Sequence, residues 1–399
     1  TYREHIASEC FEVTQNPSYR WDKIALGFEK SYGGDLKMST QHFRFHSSLS
    51  NTCFPTSLRD SDQGAPSVYL QAKDLGGVFT RISRGLPFRS VANFSPSLIK
   101  HKGHDLIAFR SQPEPFCFRW DMKYFYYNNT PTEVYVGELL NDETIVGAKN
   151  IRERKHRLSY EDPRLFIDAE DNLMCQFVTS SYASKWDSSK HKMIKSPKVC
   201  VGSFDDFGNC IDAFYPPIGL NHQEGGAEKN WCFFADEDVT RLLYSTKPIV
   251  IKTPGEEQKT IDATVLKKCT GEHPTFNSTA PVKVGDEWLV FYHYKFMGMV
   301  RGEPRPVLFY MLSAYTLDDN LTKIVRYMPE PLFTGSLDDE LITWTDYQGQ
   351  PISKQPACIL PFGCVADENE IALSLGVNDS FMGIFRCATN NILSLMTKV

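Results

Sequence analysis

The sequence predicts an all-β chain, a five-bladed β-propeller with an N-terminal extension. Three observations carry that expectation. Phe, Trp and Tyr make up 13% of the chain, and turn-forming Gly and Pro are spread along it, a combination that favours strands over helix bundles. No helical period or heptad is sustained anywhere. One pattern, an apolar strand, a short polar turn and a second apolar strand ending in polar residues, recurs five times.

The five copies come in order. SLIKHKGHDLIAFRS starts at Ser97, RLFIDAEDNLMCQFVTS at Arg164 and WCFFADEDVTRLLYS at Trp231. APVKVGDEWLVFYHY starts at Ala280 and FGCVADENEIALSLGVND at Phe362. Each central turn (Lys-Gly-His-Asp, Asp-Ala-Glu-Asp-Asn, Asp-Glu-Asp, Gly-Asp-Glu, Asp-Glu-Asn) suits a tight hairpin. Their starts recur at roughly 50- to 80-residue intervals, about one antiparallel blade with its connections. Residues 87–399 are therefore the expected propeller. Residues 1–86 are the expected extension, or a partial blade packed on it, with HFRFH (His42 to His46) as a strand edge.

The composition is that of a folded chain of 399 residues, 41% hydrophobic and 23% charged. A net charge of −6 argues against a general nucleic-acid binder. Two basic runs, NIRERKHR (Asn150 to Arg157) and KHKMIKSPK (Lys190 to Lys198), flank one predicted strand. They read as solvated loops or as the approach for an anionic substrate. The 11 cysteines form no C-x-x-C pair, so neither a disulfide framework nor a metal site is expected; Cys175, Cys232 and Cys364 fall in apolar runs as small core residues. No apolar run is long enough to span a membrane. Sequons occur at Asn93, Asn128, Asn277, Asn320 and Asn378. The chain starts at Thr1 rather than Met, a start compatible with a removed signal or anchor; a cytoplasmic protein is the working expectation.

The strand ends hold the chemistry. SYEDPRLF, Ser159 to Phe166, sets Glu161, Asp162 and Arg164 at the mouth of a buried strand. The first hairpin ends in Arg110; Glu228, Lys229 and Asn230 precede the third; the fourth ends in Tyr292, His293 and Tyr294; the fifth ends in Asn378 and Asp379. A closed propeller brings equivalent strand ends together, so Arg110, Arg164, Lys229 and His293 would meet around Asp162 and Asp379. Three permanent cations and a histidine suit phosphate, and one carboxylate among them can act as general acid or base. Pro163 is expected to hold Asp162 in extended geometry. The structural reading of the same residues is a ring of salt bridges.

The order AFRS with Arg110, then EDPR, EKN, APVKVGDEWLVFYH and PFGCV…LGVND resembles glycoside hydrolase family 130, which contains the β-mannoside phosphorylases, and the related glycosyltransferase family 108. The likeness runs from about Leu86 to the C-terminus and includes LDDNLTKIVRYMPEPLF, Leu317 to Phe333. The resemblance implies a five-bladed propeller and inverting transfer of a β-linked mannose. Asp162 would be the general acid, directly or through a sugar hydroxyl. Arg110, Arg164, Lys229 and His293 would hold phosphate, and Glu161, Asn230, Tyr292 and Asp379 would contact sugar. The partners implied are an oligosaccharide acceptor and phosphate, mannose 1-phosphate or GDP-mannose, with no cofactor. The chain departs from the phosphorylases in EHPTFNSTAP (Glu272 to Pro281), in the basic run Arg152 to Arg157 and in its early N-terminal segment.

Two alternatives stand beside this reading. A β-mannoside hydrolase needs a second carboxylate to activate water, for which Glu228 or Glu340 is available. A non-catalytic carbohydrate-binding propeller would explain the aromatics but not an aspartate among cations. Asp236-Glu237-Asp238 reads as Asp-x-Asp, yet it falls in a predicted hairpin turn, where acidic residues are common.

Overall fold

The computed structural model describes residues 67–87, 92–112, 132–151, 159–180, 186–187, 192–193, 197–204, 210–214, 229–298, 307–336 and 357–399. The described residues are mostly β-strand. Among the described residues no helix is long and apolar enough to cross a membrane.

After helix α1 (Val68–Asp74) and strand β1 (Val78–Arg81), the first sheet is an antiparallel series of β2 (Ala92–His101), β3 (His104–Gln112), β4 (Glu133–Leu139) and β5 (Ile145–Asn150). The second holds β6 (Ser159–Ile167), β7 (Leu173–Ser180), β10 (Pro197–Phe204) and β11 (Cys210–Phe214); between β7 and β10 lies a small hairpin of β8 (Trp186–Asp187) and β9 (Lys192–Met193). The third is β12 (Cys232–Asp236), β13 (Val239–Thr246), β14 (Ile249–Lys252) and β15 (Lys259–Ile261). In the fourth, β16 (Thr275–Asn277) and β17 (Val282–Val284) both pair with the long β18 (Glu287–Gly298). Next come β19 (Val307–Asp318), β20 (Ile324–Tyr327), β21 (Phe333–Thr334) against β19, and later β25 (Thr397–Lys398). The fifth is β22 (Ile359–Ala366), β23 (Glu370–Val377) and β24 (Phe381–Ala388). β1, from the segment expected as an extension, completes this last sheet by pairing with β24.

All five expected hairpins are present, as β2–β3, β6–β7, β12–β13, β17–β18 and β22–β23. Their alternation sends apolar side chains to both faces, because each sheet is covered on two sides. The buried apolar residues accordingly form five clusters, each between two sheets. Leu98 and Phe109 meet Met382; Val136 meets Leu165 and Phe177; Phe166 meets Phe233; Phe234 meets Trp288; Phe291 meets Leu375. Sheets one to five therefore each pack on the next, and the fifth packs on the first.

A buried polar side chain bridges every one of these junctions. Ser97 Oγ accepts the Leu165 amide at 2.8 Å, and Gln176 Nε2 donates to the Trp231 carbonyl at 2.6 Å. Asn277 Nδ2 donates to the Asn230 carbonyl at 3.0 Å, Asn378 Nδ2 to Ser336 at 2.8 Å, and Ser374 Oγ to Pro96 at 2.6 Å. Each bond gives a buried polar atom a partner across the junction, although Gln176 Oε1 stays buried without one among the described residues. The first strands also approach closely: a Cβ at Gly363 of β22 would sit 2.1 Å from the Leu98 nitrogen of β2, so only glycine fits. Cys175, Cys232 and Cys364 are buried in the apolar clusters.

Candidate active site

The site begins with an irregularity in β6. Glu161 pairs with Val178 and Arg164 with Gln176, so Asp162 and Pro163 together oppose one residue of β7. Such a bulge turns side chains that would alternate onto one side. Asp162 takes φ 52°, the left-handed region, and not the extended geometry expected from Pro163. Aspartate tolerates that region better than most residues. The consequence is that Glu161 and Asp162, adjacent in sequence, both reach Arg110. Arg110 Nη2 lies 3.6 Å from Glu161 Oε1 and Nη1 lies 3.9 Å from Asp162 Oδ1. Phe94 of β2 supports this guanidinium, 5.0 Å from its ring centroid.

Glu161 also holds Lys229, 3.1 Å from Nζ to Oε2. Burial alone would depress the Lys229 ammonium, but the charges of Glu161 and Asp162 outweigh it and leave its pKa raised. Arg164 is spread over three acceptors: the Ser278 carbonyl at 3.1 Å, the Asp162 carbonyl at 3.4 Å and Asn230 Oδ1 at 3.3 Å. Its guanidinium stacks on Phe362, 4.8 Å from the centroid. Asn230 is itself left-handed at φ 62° and is anchored through its carbonyl by Asn277.

The fourth sheet supplies the opposite wall. Ser278, in the interruption between β16 and β17, meets His293 Nδ1 through its hydroxyl at 2.8 Å. His293 is sandwiched between Phe276 and Tyr310, at 5.3 and 5.6 Å. Burial, with Lys295 and Arg164 adding repulsion, drives its pKa well below the usual range. His293 is therefore a neutral imidazole beside the permanent cations. Two residues on, Lys295 Nζ lies 4.4 Å from the Phe276 ring centroid and 4.8 Å from that of Tyr310. Burial, then Lys229, brings its pKa down to about 8, while Asp162 and Asp379 pull the other way. Tyr310 sits directly across the ladder from Lys295, and burial holds its hydroxyl well above the ordinary phenol value.

Asp379 enters from the β23–β24 turn. Asn378 and Asp379 have φ 50° and 49°, and the Ser380 amide closes onto the Val377 carbonyl at 2.9 Å, the pattern of a tight hairpin turn. Burial raises the Asp379 carboxyl to about 6; Arg110 and Lys229 oppose the rise, whereas Asp162 and Glu161 add to it.

Eight of the nine expected site residues thus gather: Arg110, Glu161, Asp162, Arg164, Lys229, Asn230, His293 and Asp379. Tyr292 does not join them. It is fully buried in the cluster with Trp288, Tyr294 and Tyr315, because neighbours on a strand point to opposite faces. The same alternation brings Lys295 to the His293 face, and the sequence reading missed that residue along with Tyr310, Ser278 and Asn277. A period of two counted from His293 would have found Lys295. Glu228, Glu340, Arg152–Arg157 and His42–His46 lie outside the described residues. Of the sequons, Asn277 and Asn378 are buried and bonded, Asn93 is buried, Asn320 is exposed, and Asn128 lies outside the described residues. Asp236-Glu237-Asp238 forms the β12–β13 turn, with Asp236 held by Arg241 at 2.7 Å.

No protein-family model and no curated protein matches the sequence. Solved structures do match in fold. A β-1,2-mannobiose phosphorylase from Listeria innocua aligns over 79% of this chain and 96% of its own, at 14% identity and a TM-score of 0.50. A GDP-Man-dependent mannosyltransferase from Leishmania mexicana aligns over 81% and 94%, at 12% identity and a TM-score of 0.52. A third structure, from the family 130 mannoside phosphorylases and described for hydrolases that target β-1,2 mannosidic linkages in Candida mannan, aligns over 79% and 94%, at 12% identity and a TM-score of 0.50. The resemblance read from the motifs is matched by these all-β structures; at such identities the likeness is one of fold.

Proposed function

We propose that this chain is an inverting glycosyl-transfer enzyme that moves a β-linked mannose between a phosphate-bearing donor and a carbohydrate acceptor. The observation that carries the reading is the bulge in β6, which sets the Asp162 carboxylate beside Arg110 and the Arg164 guanidinium against its carbonyl. An aspartate in that position can, as the carboxylic acid, pass a proton to a leaving oxygen, and as the carboxylate take one from an acceptor hydroxyl, while cations meet an anion across the sugar. The likeness to a mannobiose phosphorylase and a GDP-Man-dependent mannosyltransferase supports mannose as the sugar. The cyclic packing of five sheets supports a five-bladed propeller over residues 87–399, with β1 as its closing strand.

In the phosphorolytic direction Asp162 gives its proton to the glycosidic oxygen, directly or through a sugar hydroxyl. A phosphate oxygen attacks the anomeric carbon from the opposite face, and the carbon–oxygen bond to the acceptor breaks. A sugar 1-phosphate of inverted configuration and a free acceptor hydroxyl result. In the synthetic direction Asp162 removes the acceptor proton and the phosphate or nucleoside diphosphate departs. Arg110, Arg164, Lys229 and His293 line the phosphate side; Glu161, Asn230 and Asp379 contact sugar hydroxyls. Tyr292, buried in the core, is left out of this assignment.

Phosphorus NMR tests this on the full chain mixed with GDP-mannose, mannose 1-phosphate and short mannosides, with Asp162→Asn as control. Release of GDP identifies a nucleotide-sugar transferase. Inorganic phosphate formed only with acceptor present identifies phosphorylase chemistry. Unchanged spectra in every mixture refute the reading.

A further inference from the structure

Among the described residues the four cations of the site fall into two kinds. Arg110 and Lys229 are engaged by carboxylates, through Glu161 and Asp162. Arg164 donates to two carbonyls and an amide oxygen, and Lys295 rests between two aromatic rings. Among the described residues, neither Arg164 nor Lys295 has a carboxylate within ion-pair distance. Both are backed by aromatic faces, Phe362 for one and Phe276 with Tyr310 for the other. His293, which both charges act on, is kept uncharged by burial and meets the Ser278 hydroxyl through Nδ1; the neutral ring carries one N–H donor.

We propose that Lys295 and Arg164 are the paired cations that receive the phosphoryl oxygens of the donor, with Lys295 a specificity-determining residue for phosphate-bearing ligands. The inference rests on the glycosyl-transfer reading above. Its physical basis is charge balance. Arg110 and Lys229 hold the Glu161–Asp162 pair in place. Arg164 and Lys295 have no carboxylate within ion-pair distance among the described residues, and Lys295 feels Asp162 and Asp379 only from further off; these two cations are completed by an anion from outside. The neighbouring neutral imidazole and the Tyr310 hydroxyl are hydrogen-bond donors that bring no competing negative charge. Burial, then the charge of Lys229, brings the pKa of the Lys295 ammonium down to about 8. An arriving phosphate dianion stabilises its charged form, so binding at alkaline pH draws a proton from solvent onto Lys295.

Isothermal titration calorimetry of the full chain at pH 8.5, in two buffers of different ionisation enthalpy, tests this with inorganic phosphate and with guanosine diphosphate. The wild type is expected to take up a fraction of a proton on binding. Lys295→Met should weaken the anion it binds by about tenfold or more and abolish the uptake. Lys295→Arg should keep affinity within about threefold and take up no proton, since a guanidinium is already charged; it decides the matter if the methionine variant does not fold. Unchanged affinity in a folded Lys295→Met, or undiminished uptake in Lys295→Arg, overturns the assignment of Lys295 alone. A wild type that binds neither anion overturns both this inference and the function on which it rests. Binding of guanosine diphosphate but not phosphate, or the reverse, with the same dependence on Lys295, upholds the site and names its donor.

Discussion

Strands β2 and β6 contain the same backbone device. Ser95-Pro96-Ser97 and Asp162-Pro163-Arg164 each place a left-handed residue, at φ 52°, before a proline, and each interrupts the ladder with its neighbour strand. In β2 the result is structural. Ser95 is buried, the Pro96 carbonyl accepts Ser374, and Ser97 receives the Leu165 amide. In β6 the same bend presents a carboxylate to Arg110 and a guanidinium to Ser278 and Asn230. The bulge is thus a means of joining first strands of adjacent sheets, and the chemistry comes from the side chains placed on it.

That contrast can be broken at β6 first. Asp162→Asn keeps a residue suited to positive φ, so its melting temperature should stay close to wild type, while turnover should fall by about a thousandfold. An active Asp162→Asn enzyme would remove the general acid from the mechanism. Arg164→Lys keeps the charge but loses the fork that reaches three acceptors and the stacking on Phe362; kcat/KM should drop by about a hundredfold. Rates within threefold of wild type would mean that a point charge suffices there. Lys229→Ala should raise the Kd for a phosphate-bearing donor by between about twofold and tenfold, less than any change at Arg164, because Lys229 already serves Glu161. Titration of that donor checks the order.

Asp379 sharpens the comparison through pH. Its folded-state pKa of about 6 lies above the unfolded value of about 3.9. The folded chain therefore binds the proton more tightly, and the carboxyl costs stability that is absent below about pH 4 and complete above 6. Between pH 5 and pH 8, Asp379→Asn should gain on the wild type by about 2 °C in melting temperature. A difference constant with pH would show that Asp379 titrates normally. The smallest effect belongs to β2. Ser95→Gly removes a left-handed strain worth roughly 1 kcal/mol, so thermal stability should hold or rise slightly and turnover stay within about twofold. A large loss of turnover there would show that β2 takes part in the chemistry directly.

Much of this arrangement is written locally in the chain. The alternation and turn residues of the five hairpins specify strands and their partners over short distances, and the acidic turns such as Asp236-Glu237-Asp238 close them. Arg110, Glu161, Asp162, Arg164, Lys229 and Asp379 stand out because charge at the end of an apolar strand is unusual. Tyr292 was misread because its neighbourhood with His293 in sequence is opposition in space, the ordinary consequence of a pleated strand. EHPTFNSTAP shows no strand pattern in sequence, yet three of its residues form β16, since pairing with β18 gives that short segment its hydrogen bonds.

Residue order by itself determines the five strand pairs, the acidic turns and the set of charged strand ends, because these depend on periodicity and on neighbours a few positions apart. Only the tertiary structure decides the rest. The bulge that puts Glu161 and Asp162 on one side, the interruption that gives Ser278 to both Arg164 and His293, and the burial that neutralises His293 and depresses Lys295 all arise between sheets. They depend on long-range packing and on loss of solvent, which no local pattern encodes.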